Sequence, residues 1–172
     1  MAIETEAEFT EVYQTNYADL LRFVRRRAHP LNVDDIVGET FLVAWRRRRD
    51  LPSDIRPWLF RTARNAMLNS TRGSNRQTAV AVRIAQSEPW GTRDGLSDVE
   101  HRVDLAQAWG MLTSPDQEAL ALTIWEDLSA KDAAAVLGCS RAAYAMRLTR
   151  AKRHLAALLD APAPLNTQLA TS

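Results

Sequence analysis

The chain has almost none of the residues that staple small proteins or hold metals. Its 172 residues include one cysteine, Cys139, so no internal disulfide can form, and that cysteine has no histidine or second cysteine at zinc-ligand spacing. The three histidines, His29, His101 and His154, lie far apart in sequence. Gly-rich phosphate loops and the G-x-S-x-G nucleophile turn are missing, so no catalytic residue, cofactor or metal is expected. No apolar run approaches the roughly 20 residues that span a bilayer, and the acidic start MAIETEAEFTE lacks the basic region of a signal peptide. The expectation is a soluble, cytoplasmic protein that makes no use of a membrane. Alternating apolar runs bounded by turns are also missing. Ala, Leu, Arg and Glu dominate instead, as helices prefer, and the expected fold class is all-α.

Net charge is low as well, at +1, which argues against a chain that coats nucleic acid; the distribution says more than the sum. Glu4, Glu6, Glu8, Glu11 and Asp19 crowd the start, and Asp94, Asp98, Glu100, Asp104, Asp116 and Glu118 crowd the centre. Positive charge is segregated elsewhere. Arg56, Arg61, Arg64, Arg72 and Arg76 form one block without an acid, and Arg141, Arg147, Arg150, Lys152 and Arg153 form a second. Two such segments imply two contacts with a polyanion.

Periodicity supplies the helices. Phe9, Val12, Tyr13, Tyr17, Leu20, Leu21 and Val24 make one apolar stripe, predicting a helix from Glu6 to Arg27 that Pro30 closes. Asn32 is expected to cap a second helix, whose Val33, Ile36, Val37, Thr40, Phe41, Ala44 and Trp45 face inward. Asp34 and Asp35 suit its positive N-terminal end. Pro57 is placed as the first residue of a third helix, WLFRTARNAMLNSTR, with Leu59, Thr62, Ala63, Ala66 and Met67 inward. Trp58, Arg61, Asn65, Asn69 and Arg72 then share the opposite side, a platform on which unstacked bases can lie; Trp58 also fits as a piece of core. Residues 74–99 are rich in Gly, Ser, Asn and Gln and predict a flexible linker. A second helical unit over 100–159 follows, with Val103, Ala106, Trp109 and Leu112 on one stripe, a cap at Ser114 before Pro115, and then Leu120, Ile124 and Trp125. The remainder, 160–172, is Pro-rich, small and polar, and reads as a disordered tail.

The most telling stretch is LSAKDAAAVLGCSRAAYAMRLTRAKRH, from Leu128 to His154. Ser129 can cap one helix and Ser140 the next, Ala134 is small where they cross, and Gly138 suits the left-handed turn between them. The second of the two carries only positive charge, while Tyr144, Leu148, Ala151 and Leu155 recur at helical spacing. Helix, tight turn and basic helix make a helix-turn-helix. On this stretch alone, a regulator that binds duplex DNA unaided, with the first half as a sensor or dimerisation domain, explains the pattern too.

In order, VDDIVGETFLVAW, WLFRTARNAMLNSTR and SPDQEALALTIWEDLSAKDAAAVLGCSRAAYAMRLTRAKRHL resemble regions 2.2, 2.3–2.4 and 4 of the extracytoplasmic-function sigma factors, the small two-domain class of bacterial transcription initiation subunits in the sigma-70 family. The resemblance implies a helical region 2 over 6–73 and a helix-turn-helix region 4 over 100–159, and a non-catalytic subunit of RNA polymerase that reads the −10 and −35 elements of promoter DNA and helps melt it. It implies that Asp34, Asp35, Gly38, Glu39, Leu42 and Trp45 meet the clamp coiled coil on the β′ subunit, with the β flap as a further contact. Trp58, Arg61, Arg64, Asn65, Asn69 and Arg72 would serve the −10 element, Asn65 matching the family's Asn at a captured base. At −35, Ser140 heads the recognition helix, Arg141, Ala143, Tyr144 and Arg147 would face bases, and Arg150, Lys152 and Arg153 phosphates. The flexible linker separately suggests a further partner, an anti-sigma factor wedged between the two helical domains. The chain departs from the family at Gly38, usually Gln, and at Ala142, Ala143 and Tyr144, usually Gly, Thr and Val.

Overall fold

The computed structural model describes residues 3–70, 82 and 96–160, and these contain helices and turns but no strand. The first helix, α1, spans Glu6–Arg25 and starts at a capping box. The Thr5 hydroxyl accepts from the Glu8 N–H at 3.2 Å, and the Glu8 carboxylate accepts from the Thr5 and Glu4 N–H groups at 3.0 and 2.8 Å. These bonds favour the ionised form and hold the Glu8 carboxyl below its ordinary pKa. α1 ends two residues before the predicted Arg27, because Arg26 and Arg27 turn back on the carbonyls of Arg22 and Val24.

A 3₁₀ turn at Pro30–Asn32 leads into α2, Val33–Arg46. Asn32 makes no side-chain cap there; the side-chain bond at this entry is made by His29, whose Nδ1 accepts from the Leu31 N–H at 3.3 Å. The third helix, α3, runs Ile55–Ser70. Pro57 is thus its third residue and not its first, still inside the turn where a missing N–H costs no helical bond. Phe23 of α1 stacks on Phe60 of α3 with ring centroids 4.4 Å apart, over a core shared with Leu20, Val24, Ile36, Phe41 and Leu59.

The second unit comprises α4 (Leu96–Met111), α5 (Ser114–Ile124), α6 (Ala130–Leu137) and α7 (Arg141–Asp160). Trp109 and Leu112 are buried, but Val103 and Ala106 face outward, so the predicted stripe on α4 holds only at its end. Thr113, not Ser114, caps α5, and Ile124 is exposed. Around the sharp turn the pattern is as read. Ser129 Oγ accepts from the Asp132 N–H at 3.2 Å, Gly138 sits at φ +68°, and Ser140 Oγ accepts from the Ala143 N–H at 3.1 Å.

Every residue of α5 from Asp116 to Leu122 is buried, whatever its polarity. An element buried all round is sandwiched, and α5 lies between α7 and the first unit, while α3 packs on α6. The predicted linker falls outside the described residues except for Val82 and the start of α4. Val82 is buried, with its N–H donating to Gln117 Oε1 at 3.1 Å and its carbonyl accepting from Trp109 Nε1 at 2.8 Å. The predicted tail lies outside the described residues from 161 onward.

Candidate nucleic-acid interface

Helical steps of 100° place Trp58, Arg61, Asn65 and Asn69 on one side of α3. Arg61, Asn65 and Asn69 are exposed there, and Trp58 is half-buried, its body packed on the core. That position combines both readings of the tryptophan: it completes the core and still shows an edge. Arg72 lies outside the described residues. Arg64 belongs elsewhere. It is 8% exposed and its Nε and Nη2 clamp the Glu118 carboxylate of α5, the second contact at 3.0 Å. One step off the exposed face, it is covered by the second unit and meets no solvent-borne ligand in this arrangement.

The larger correction concerns Tyr144. It does not face bases: it is 0% exposed, and its hydroxyl donates to the Ala119 carbonyl at 2.9 Å and shares a 2.6 Å bond with Thr123. Burial pushes its phenol above the ordinary pKa, against the opposing bond from Thr123. Tyr144 and Ala151 are the buried line of α7, with Leu148 and Leu155 beside them. The opposite side therefore points outward. It carries Ala142, Met146, Thr149, Arg150 and Arg153, all exposed, with Met146 at 75%. Ser140, Arg141, Ala143 and Lys152 are exposed on its flanks, and Arg147 is only partly so. Met146 and Thr149 were missed by sequence reasoning, although the stripe that buries Tyr144 fixes them by the same 100° count.

On α2, Asp34, Asp35, Gly38, Glu39 and Leu42 form a continuous exposed side. A side chain at Gly38 would meet nothing within 4 Å, so packing does not require glycine there. Trp45 stands at the border of that side, edge-on to Phe9 at 5.0 Å and under Arg48 at 4.3 Å. With Phe9 and Tyr13 it lines an open groove of about 290 Å³.

The electrostatics of α7 involve one buried acid. Asp116 of α5 holds His154 Nδ1 at 2.8 Å and has Arg150 Nε at 3.8 Å. This bond turns His154 Nε2 away from Asp116, on a ring that is half-exposed. Among the described residues, no group of three or more His, Cys, Asp or Glu side chains could hold a metal ion, and no helix is long and apolar enough to cross a membrane.

The same two segments stand out in comparison with known proteins. The family model for sigma-70 region 2 matches residues 12–77, and that for sigma-70 region 4 matches 102–155. The RNA polymerase sigma factor CnrH of Cupriavidus metallidurans is 34% identical over 143 residues, 76% of this chain and 74% of that protein. The sigma factor SigM of Bacillus subtilis is 27% identical over 156 residues, 87% and 94% of the two chains. Among solved structures, the sigma factor RpoE of Bartonella quintana, in complex with the anti-sigma factor NepR, gives a TM-score of 0.64 at 26% identity, covering 88% of this chain and 96% of that one. CnrH in complex with the cytosolic domain of CnrY gives 0.62 at 28% identity, covering 91% and 90%.

Proposed function

Since the chain belongs to the extracytoplasmic-function sigma factors of the sigma-70 family, we propose that it seats on core RNA polymerase, reads a promoter at its −10 and −35 elements and helps open the duplex. The observation that carries this reading is the pair of exposed helix faces that hold no acid, one on α3 from Arg61 to Asn69 and one on α7 from Arg141 to Arg153, each in its own unit. On α3, Asn65 and Asn69 offer amides beside the edge of Trp58. Extruding a base costs a few kcal/mol, which stacking and edge contacts worth about 1–3 kcal/mol per base offset. Arg61 and Arg72 add charge at the adjoining backbone.

On α7 the outward face replaces the one expected from the resemblance. Arg150 and Arg153 take phosphates together with Arg141 and Lys152, which position the helix without reading sequence. Met146, with Ala142 and the methyl of Thr149, meets base edges. These are apolar groups, and in the major groove their match is the thymine methyl. The exposed side of α2, from Asp34 to Leu42, takes the clamp coiled coil of β′, and the second unit takes the β flap. An anti-sigma protein fits as a partner too, supported by the similar sigma factor RpoE solved in complex with the anti-sigma factor NepR.

Reconstituted holoenzyme tests the reading. Duplexes selected from a random library by holoenzyme should support runoff transcription, and Asn65→Ala should lower open-complex formation about tenfold, equivalent to about 1.4 kcal/mol, with core association unchanged. Loss of core association in that variant, or full opening, sinks the α3 assignment. Replacing thymine by deoxyuridine in the selected −35 element removes a single methyl, worth about 0.8 kcal/mol or fourfold in affinity. Wild-type holoenzyme should register that loss, and Met146→Ala should be insensitive to it. Equal sensitivity in both removes Met146 from the interface.

A further inference from the structure

A carboxylate taken out of water persists only beside a cation or several donors. The second unit buries three of them: Asp116, Glu118 and Glu126. Glu118 is clamped by Arg64, and Glu126 receives Arg27 Nη1 at 2.8 Å. Asp116 has no such fixed cation. It stands in the first turn of α5, whose positive end favours the ionised form. Its Oδ2 holds His154 Nδ1 at 2.8 Å, while Oδ1 is buried without a hydrogen-bond partner among the described residues. Arg150 Nε stands 3.8 Å from Oδ1, too far for a hydrogen bond, on a side chain that is 55% exposed. The close partner of this buried charge is therefore an imidazole, the one side chain that is ordinarily poised between neutral and cationic near neutral pH.

The bond fixes which way the imidazole faces. A carboxylate accepts, so Nδ1 carries a proton; Nε2 of the neutral ring is then a bare lone pair, and it donates outward only after a second proton arrives. His154 follows Arg150 by one turn on the same strip of α7, at the border of the outward face, and half of its side chain is open to solvent. We propose that His154 is a further promoter contact of α7: positioned by Asp116, it takes up a proton as it meets a backbone phosphate, and so makes binding at the −35 element tighter as pH falls. The inference rests on the promoter-reading function above and adds a residue and a proton to it. Solvent supplies the proton, Nε2 binds it, and the new N–H donates to a phosphate oxygen. The ring then lies between two anions, both of which favour its charged form. Arg150, not bonded to Asp116, takes the adjoining phosphate. The complex holds one proton more than its free partners, so affinity rises as pH falls through the ordinary imidazole range, about 6.5, and levels off below it.

Among the described side chains, the other charges on the elements packed against α7 leave this arrangement intact. On α5, Glu118 turns to Arg64. On α4, Asp104 is exposed and makes no ion pair with the ring. On α6, Lys131 and Asp132 stand in the first turn, where Asp132 bonds Ser129. On α7 itself, Asp160 lies more than a turn beyond, while Arg147, Arg150, Lys152 and Arg153 oppose the second proton by their charge. A phosphate neutralises that opposition, which ties the proton to DNA.

The test uses reconstituted holoenzyme and a promoter duplex that it selects, with affinity measured between about pH 6 and 8. Ratios of variant to wild type at each pH cancel the titrations of polymerase itself. His154→Gln should bind about tenfold more weakly than wild type at pH 6 and within about twofold of it at pH 8. His154→Lys, a cation throughout this range, should hold the wild-type pH 6 affinity up to pH 8. Asp116→Asn should move the profile towards lower pH, because its amide oxygen still accepts from Nδ1 but brings no charge; if that variant does not fold, the two variants of half-exposed His154 carry the test. Uncharged methylphosphonates, placed one at a time along the −35 element, should at one position abolish the difference between wild type and His154→Gln. A constant ratio of His154→Gln to wild type across the range overturns the proton uptake and leaves the pair as a tie between α5 and α7. A pH-dependent ratio that no methylphosphonate abolishes overturns the phosphate contact, and a folded Asp116→Asn with the wild-type profile overturns the positioning role. Wild-type holoenzyme that selects no duplex at any of these pH values sinks the proposed function and this contact with it, an outcome distinct from binding with parallel pH profiles.

Discussion

Tyr144→Ala is expected to cost about 3–5 kcal/mol of stability, the range for truncating a buried large aromatic, and to unfold the second unit well before the first. The ring fills the space between α7 and α5, and its hydroxyl closes a bond to the Ala119 carbonyl and another to Thr123. Tyr144→Phe keeps the ring and leaves those two partners without the hydroxyl, a loss of about 1–3 kcal/mol. Urea denaturation followed by helical circular dichroism measures both. The pair also separates a core role from a DNA role. If Tyr144 packs, folded Tyr144→Phe holoenzyme binds its promoter within about twofold of wild type; a tenfold loss at unchanged stability, equal to about 1.4 kcal/mol, returns the residue to the groove.

Tyr144 also marks the boundary of what can be read from residues alone. Spacing placed it with Leu148, Ala151 and Leu155 on one apolar stripe, and the structure buries that stripe. Family likeness placed the same residue among the base readers, and the two assignments are incompatible on one helix. Periodicity prevailed because a helix that must bury one side has no freedom in which side it shows. The caps at Ser129 and Ser140 and the turn at Gly138 were legible for the same reason: each is decided within four residues of chain. Thr113 took the place of Ser114 as a cap because adjacent hydroxyls differ only in which backbone N–H lies within reach.

What could not be read is what joins distant segments. Arg64 and Glu118 are 54 positions apart and look like ordinary members of a basic block and an acidic cluster; only the packing of the second unit on α3, through α6, turns them into a pair. Val82 looked like linker, yet its backbone is bonded by Gln117 and Trp109. Asp127 occupies φ +48°, an uncommon conformation for a residue with a side chain, although Asp is among those that tolerate it, and its neighbour Glu126 meets Arg26 and Arg27 just beyond the end of α1. Local rules set the elements, and long-range contacts, both the buried charge pairs and an apolar cluster that runs through both units, set how the two units meet.

Glu126→Ala follows from that second kind of order and is expected to have an effect of similar size. Arg27 is fully buried in its side chain, lies over the Phe23 ring at 3.8 Å, and donates to the Phe23 carbonyl at 2.9 Å and to Glu126 at 2.8 Å. Its Nε and Nη2 have no hydrogen-bond partner among the described residues. Burial already lowers its pKa, and Glu126 is the principal group acting in the other direction. Removing that carboxylate leaves a buried cation without its counter-ion, which costs about 3–5 kcal/mol where the site cannot relax. Here it can relax, because parting the units returns Arg27 to water. The loss should therefore be capped by the free energy that holds the units together, and Glu126→Ala should melt as two separate transitions where the wild type melts as one. Arg27→Met with Glu126→Leu removes both charges and refills the space, so its stability should lie within about 1.5 kcal/mol of wild type in a single transition. A double-mutant cycle in urea, using Arg27→Met, Glu126→Leu and the pair, should give a coupling of about 2–3 kcal/mol, little changed between 0.05 and 0.5 M salt because the groups are out of solvent's reach. A coupling below about 0.5 kcal/mol, within the error of additivity, would mean that the two charges do not hold the units together.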